Sequence, residues 1–123
     1  MNLFLVFLGG GLGSLARYGT GTLTKKIFSS DFPYGTLISN ISSSFILGLL
    51  VGWFVIKGAQ DEPYRLLIAV GFCGGFSTFS SFSLETFEMM RSGNHLMAGA
   101  NILFSIVVCI VAIWAGVHVI KLF

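Results

Sequence analysis

Charge is scarce in this sequence, and that scarcity excludes most soluble folds. Only 10% of the 123 residues are charged, whereas a soluble domain has roughly 25%. More than half of the chain, 54%, is hydrophobic, and the mean hydropathy is +0.89. A net charge of +2 is too small to indicate a nucleic-acid partner. The composition therefore predicts an all-α membrane protein whose partner is the lipid bilayer.

Several patterns that carry chemistry are also missing. The two cysteines, Cys73 and Cys109, lie in apolar runs without the paired spacing of a disulfide or metal site. Neither histidine belongs to a metal motif, and no serine has a predictable histidine partner. The acidic residues fall in loops or at the ends of apolar runs: Asp31, Asp61, Glu62, Glu85 and Glu88. These absences argue against an enzyme and against a proton-coupled exporter, which needs a titratable group within the membrane.

Charged residues divide the chain into four apolar runs near the length of about 20 residues that a bilayer requires. The runs cover approximately residues 3–22, 33–56, 66–84 and 96–120. We therefore expect one four-helix transmembrane domain over residues 1–123. The first run contains Arg17 and several glycines, so we expect a retained helix and not a cleaved signal peptide. Four short helices leave little room for a wide pathway, which favours an oligomer.

The basic residues give no clear orientation in the membrane, where Lys and Arg normally accumulate on the cytoplasmic side. One face carries Lys57, Arg65 and Lys121, and the other carries Arg17, Lys25, Lys26 and Arg91. Three basic residues on one face against four on the other favour insertion in both orientations. Two oppositely inserted copies could then form an antiparallel dimer. The alternative is a single orientation with a weak bias.

Arg17 closes a run of small residues in the first helix. The glycines before it, among them Gly9 and Gly13, form a surface on which another helix can pack closely. An arginine near a helix end either extends to the lipid headgroups or anchors a buried polar network. The position of Arg17 alone leaves both interpretations open.

The second helix has polar residues at helical spacing. Thr36 and Asn40 are four residues apart and share a face, as do Ser39 and Ser43. Such groups either bond neighbouring helices together or line a wet cavity. Asn40 is the least easily explained as helix contact alone, because its amide needs more partners than one hydroxyl. In the fourth run, Asn101 and Ser105 are four residues apart, and both are expected to face inward.

The third run carries glycines in the middle of an apolar segment. Gly71, Gly74 and Gly75 weaken a helix at a depth where water cannot bond the freed backbone. Such a break is tolerated where protein or an aqueous cavity satisfies those groups, as at transporter and channel sites. The run is therefore the best candidate for the functional part of the chain.

The predicted interior offers hydrogen-bond donors and phenylalanine rings. Its members are Thr36, Asn40, Phe79, Ser80, Ser81, Phe82, Ser83 and Ser105. Phe79 and Phe82 lie near one helical face, and an aromatic ring has a positive edge. Such donors form a weak site for a small anion, which suits rapid passage because ions must leave as readily as they enter. The alternative is that the phenylalanines only pack or face lipid.

Three motifs follow one another along nearly the whole chain. They are Gly9-Gly10-x-x-Gly13-x-x-x-Arg17-Tyr18, Pro33-x-Gly35-Thr36-Leu37-x-x-Asn40 and Gly71-x-Cys73-Gly74-Gly75-Phe76-Ser77-Thr78-Phe79-Ser80-Ser81-Phe82-Ser83-x-Glu85. In this order they resemble the Fluc (CrcB) family of small bacterial fluoride channels. The third motif is long and specific, so the resemblance favours a pore over packing for the phenylalanines.

The resemblance implies a multi-pass protein of the bacterial inner membrane that passively exports fluoride from the cytoplasm and so relieves its toxicity. It also implies a dual-topology antiparallel homodimer, with two pores and a third helix broken at its centre. A structural sodium ion would lie at the dimer interface, held by the backbone carbonyls of Gly74 and Ser77 from each chain. Pairing with a diverged paralogue as a heterodimer is the alternative assembly.

The resemblance assigns roles residue by residue. The pore would be lined by the aromatics Phe79 and Phe82, the amide of Asn40, and a polar track of Thr36, Ser80, Ser81, Glu85 and Ser105. Arg17 would be the structural arginine of the first helix. Ser77 and Ser81 replace the threonines common in the family, and Ser43 replaces a glycine, where we expect altered packing. The rival functions are a small dual-topology multidrug exporter and a non-transporting membrane scaffold.

Overall fold

The chain folds into long helices joined by short connections. The computed structural model describes residues 1–58 and 62–123, and the predicted loop position of Asp61 lies outside these residues. The helices are α1 (Asn2–Ile27), α2 (Tyr34–Lys57), α3 (Glu62–Tyr64), a π-helix (Arg65–Cys73), α4 (Gly74–Phe76), α5 (Phe79–Arg91) and α6 (His95–Lys121). The described residues are predominantly helical, in agreement with the predicted all-α class.

The ends of α2 follow from local chemistry. Pro33 precedes the first helical residue, where a missing amide N–H costs nothing. Gly58 ends the helix with φ 65° and ψ 16°, a left-handed conformation that a side chain would strain. The helix therefore begins and ends within two residues of the predicted run.

Glycines bring the helices into backbone contact. The most extensive contact joins α2 and α6. A Cβ atom at Gly48 would meet the carbonyl oxygen of Ile113, and one at Gly116 would meet the carbonyl oxygen of Phe45. At Gly13 of α1 the obstacle would be the backbone of Phe72. These residues must be glycine because the facing backbones leave no room for a side chain.

The third helical run is interrupted after α4. Ser77 and Thr78 are extended, with ψ 157° and φ −151°, and α5 starts at Phe79. Thr78 caps α5, since its Oγ1 accepts a hydrogen bond of 3.1 Å from the Ser81 amide. The sequence did not predict that the nine residues before Gly74, Arg65–Cys73, would be a π-helix, a form often found at functional sites.

In the described part of the chain, three helices are long and apolar enough to cross a membrane. They are Tyr34–Lys57, Arg65–Arg91 taken across its interruption, and His95–Lys121. Helix α1 is long but is not among them, so the first predicted span, residues 3–22, stays a prediction. Many large apolar side chains are exposed on the isolated chain, as expected of a surface that faces lipid or a second copy.

Candidate functional site

The interruption between α4 and α5 is held by the side chain of Asn40. The Thr78 amide donates to Asn40 Oδ1 at 2.7 Å, and Asn40 Nδ2 donates to the Thr78 carbonyl at 3.2 Å. One amide side chain thus satisfies both backbone groups of a residue that has left the helix. The Asn40 NH2 group has two N–H bonds, so a second donor remains.

The carbonyl oxygen of Cys73, one turn before the interruption, accepts hydrogen bonds from serine side chains. This oxygen accepts hydrogen bonds from Ser43 Oγ at 2.9 Å, Ser77 Oγ at 2.7 Å and the Ser77 amide at 3.0 Å. Ser43 was expected to disturb packing, because it stands where a glycine is common. In this structure its hydroxyl is buried and donates to the broken helix.

Arg17 reaches the same segment from α1. Its Nε donates to the Gly75 carbonyl at 3.2 Å, and the contact is partly buried. Of the two interpretations left open by its position, this bond supports the anchor in a polar network. The side chain stabilises a carbonyl of the last helical turn before the interruption, where intrahelical donors are missing.

A cavity of about 260 Å³ opens beside the interruption. Its lining includes Asn40, Ser77, Thr78, Phe79, Phe82 and Ser105. The rings of Phe79 and Phe82 have centroids 5.9 Å apart, tilted by 43°. The structure therefore brings together both predicted aromatics, the predicted amide and the predicted hydroxyl of the last helix.

The cavity contains no ionisable acid or base among its described lining residues except the thiol of Cys109. Cys109 and Ser44, which also line it, were not among the predicted site residues. Both lie four residues after a predicted one, Ser105 and Asn40, so helical spacing was the signal that could have found them.

Thr36 and Glu85 meet at one end of the molecule. Thr36 Oγ1 donates to Glu85 Oε1 at 2.7 Å, and Glu85 Oε2 is buried without a hydrogen-bond partner among the described residues. A second cavity, of about 370 Å³, is lined by both residues and by Lys25. The two predicted track residues are therefore in contact, and both line a polar cavity.

Besides Arg17, Thr36 and Glu85, three more predicted residues lie outside the lining of the first cavity. Ser80 is exposed, with its hydroxyl 3.3 Å from that of Thr78. Ser81 is half-buried and bonds to Thr78 through its amide. Gly74 is exposed, and a Cβ there would meet no atom within 4 Å. In a single chain Ser80 and Gly74 therefore face outward, and Ser81 does so only in part.

A buried network between α5 and α6 was only partly foreseen. Asn101 is 1% exposed, and its Nδ2 donates to Thr86 Oγ1 at 3.0 Å. Thr86 in turn donates to the Phe82 carbonyl at 2.7 Å, while Ser105 Oγ donates to Asn101 Oδ1 at 3.3 Å. The network ties the backbone of one cavity aromatic to the cavity hydroxyl. Thr86 gave no signal in the sequence beyond being polar.

Comparisons with known proteins agree on one family. The family model described as "CrcB-like protein, Camphor Resistance (CrcB)" matches residues 4–117. A protein of Coxiella burnetii (strain CbuK_Q154) named fluoride-specific ion channel FluC is 42% identical over 118 residues, covering 95% of each chain. A Caulobacter protein of the same name is 44% identical over 115 residues, covering 93% of this chain and 90% of the relative. A Nitrobacter hamburgensis protein named fluoride-specific ion channel FluC 2 is 36% identical, covering 98% of each chain.

Proposed function

The chain belongs to the CrcB-like family, and we infer that it is a fluoride-specific ion channel of the bacterial membrane. The observation that carries this inference is the first cavity, where an amide, hydroxyls and two phenylalanine rings meet beside a helix interruption. Fluoride passes through by diffusion and leaves the cytoplasm down its gradient. The protein thereby relieves fluoride toxicity without chemistry of its own.

The lining of the cavity suits a small anion. Asn40 has one N–H left after bonding to Thr78, and hydroxyl groups and positive ring edges are the other donors. Removing water from an ion without replacement costs on the order of tens of kcal/mol in a low-dielectric medium. The few donors must therefore act together with water, and the missing fixed positive charge keeps binding weak enough for release.

The polar track is proposed to continue from the cavity towards Thr36 and Glu85. The hydroxyl of Thr36 and the carboxyl of Glu85 are already bonded to each other. Ser80 and Ser81 would join the track, since they belong to the same first turns of α5. This arrangement makes the interruption, and not a separate loop, the start of the conduction path.

We propose that the working assembly is an antiparallel dual-topology homodimer, with four membrane helices in each chain and the third one broken. Phe79 is 80% exposed in the isolated chain although it lines the cavity, which supports a second chain completing the pore. The near-equal numbers of basic residues on the two faces support insertion in both orientations. A heterodimer with a paralogue is the other assembly to be tested.

A structural sodium ion fits the carbonyl groups near the interruption. In a continuous helix the Thr78 amide would bond to the Gly74 carbonyl, but here it donates to Asn40. Gly74 is exposed, so its backbone can approach a second chain. Carbonyl oxygens are hard ligands suited to such a cation. Gly74 and Ser77 would hold it, and the ion would stabilise the contact between the two chains.

The direct test is ion release from liposomes that contain the purified protein. We expect rapid fluoride efflux, read with a fluoride electrode, and negligible chloride efflux from matched liposomes. Asn40→Asp should abolish fluoride efflux while the protein remains a dimer, because a carboxylate replaces the N–H donors with negative charge. A scaffold protein would give no efflux from well-folded wild type, and a pathway elsewhere would leave Asn40→Asp fully active.

A further inference from the structure

The backbone carbonyls around the interruption are not equivalent, because neighbouring side chains have occupied several of them. The Cys73 carbonyl accepts from Ser43 and Ser77, and the Gly75 carbonyl accepts from Arg17. The Thr78 carbonyl accepts from Asn40. Three oxygens within one short segment are therefore committed to side-chain donors.

The Gly74 carbonyl lies between these occupied groups and has lost its helical donor. The amide that would reach it in a helix belongs to Thr78, and that amide is bonded to Asn40 Oδ1 at the short distance of 2.7 Å. A buried N–H without an acceptor is costly, and Thr78 is only 9% exposed. If Asn40 did not accept this bond, the Thr78 amide would need another acceptor. The Gly74 carbonyl is the acceptor that this amide would have in a continuous helix, so we expect the amide to bond to it.

We propose that Asn40 is a positioning residue for the cation site: by accepting the Thr78 amide, its side chain keeps the Gly74 carbonyl available as a cation ligand. The proposal rests on the sodium site of the proposed function. The same side chain lines the anion cavity, and its second N–H is the donor left for an anion. One amide therefore connects the anion pathway to the cation site, with its oxygen supporting one and its nitrogen facing the other.

Two substitutions separate these roles. Asn40→Asp keeps an acceptor for the Thr78 amide and removes the donors, so it should lose fluoride efflux but retain sodium binding. Asn40→Ala removes both, so it should lose fluoride efflux and bind sodium more weakly. Ser44→Ala is the matched control, because Ser44 lies one turn further along α2 and lines the same cavity, but it is not the residue bonded to Thr78.

The experiment measures the sodium-dependent rise in unfolding temperature of the purified full-length protein, with N-methylglucamine as the replacement cation. We expect saturable stabilisation of the wild type, Asn40→Asp and Ser44→Ala at similar sodium concentrations. Asn40→Ala should need at least roughly tenfold more sodium, because each chain of the dimer loses one bond to the charged ion. Equilibrium binding of radioactive sodium gives the same comparison without unfolding. Asn40→Leu, which is close to asparagine in size and has no acceptor, replaces alanine if that variant does not fold.

Wild-type sodium affinity in folded Asn40→Ala or Asn40→Leu would overturn the proposal. So would loss of sodium binding in folded Asn40→Asp. A wild type that does not respond to sodium would also overturn it, because no cation site would then exist for Asn40 to position. Fluoride efflux from the same preparation is an independent result, so failure of the sodium site is distinguishable from failure of the channel.

Discussion

Helices α2 and α6 meet through glycine, whereas α5 is joined to its neighbours by side-chain hydrogen bonds. At Gly48 and Gly116 the facing backbones leave no space for a Cβ atom. Helix α5 and the residue before it are held by Asn40, Thr36 and Asn101 instead. Hydrogen bonds between membrane helices average only about 0.6 kcal/mol, so close packing is the larger source of stability. The polar bonds of α5 determine where groups lie more than how stably the chain folds.

The strongest challenge to this comparison is a large side chain in the glycine contact. Gly116→Leu should cost more than about 3 kcal/mol, above the usual range for overpacking, because the Phe45 and Leu49 backbones cannot move independently of α2. The yield of folded protein and its unfolding temperature measure the effect. Gly99→Leu on the same helix is the control, since a Cβ there meets no atom within 4 Å. Equal stability of the two variants would contradict the packing role.

At the cavity we expect the reverse of the glycine contact: a substitution there should reduce fluoride efflux but leave the fold intact. Phe79→Ile should reduce fluoride efflux by about 100-fold or more, which corresponds to roughly 2.7 kcal/mol in the barrier. The fold should survive, because Phe79 is 80% exposed in the isolated chain. Phe87→Ile is the matched control, an exposed phenylalanine of the same helix that does not line the cavity. Similar efflux from both variants would remove Phe79 from the proposed pore.

Thr86 tests whether one polar contact of α5 also stabilises. Thr86→Val keeps the shape of the side chain but leaves the buried Asn101 amide without its partner, at a cost of about 1–3 kcal/mol. A lowered unfolding temperature, restored by Thr86→Ser, is the expected result. If Thr86→Val left the unfolding temperature unchanged, the hydrogen bond to Asn101 would not stabilise the fold. The polar contacts of α5 would then only position groups.

The smallest effect is expected at Thr36. Thr36→Val removes the bond to Glu85, which is only partly buried, so the loss of stability should stay within about 1 kcal/mol. Fluoride efflux should fall severalfold, because the carboxyl group loses its fixed orientation in the proposed track. Thr36→Ser should behave like wild type in the liposome assay. Normal efflux from Thr36→Val would show that the proposed track ends before Glu85.

The extent of the helices was largely predictable from the sequence. The described helical segments overlap the four apolar runs, because hydropathy indicates where such helices lie. Two ends were misplaced: α1 continues past its run to Ile27 and α5 past its run to Arg91, so charged residues do not end these helices. The π-helix of residues 65–73 was not predictable. The segment packs against α1, a contact that local propensity does not encode.

The hydrogen-bond partners of the polar residues were harder to predict than the helix faces on which these residues lie. The spacing of Thr36 and Asn40 correctly placed them on one side of α2, but nothing in it indicated that one bonds to Glu85 and the other to Thr78. Ser43 was expected to alter packing, and its bond to the Cys73 carbonyl depends on how two distant segments meet. Ser39 is fully buried without a hydrogen-bond partner among the described residues, and no physical reason for this is evident.

The start of α5 at Phe79 has a consequence for the electric field inside the cavity. Backbone dipoles of a helix add up to about half a positive charge at its N-terminus. The N-cap Thr78 and the first residue, Phe79, both line the cavity, so the positive end of this dipole lies at the cavity. Unlike a lysine side chain, a backbone dipole does not titrate. The attraction for an anion should therefore be the same in acid and neutral surroundings.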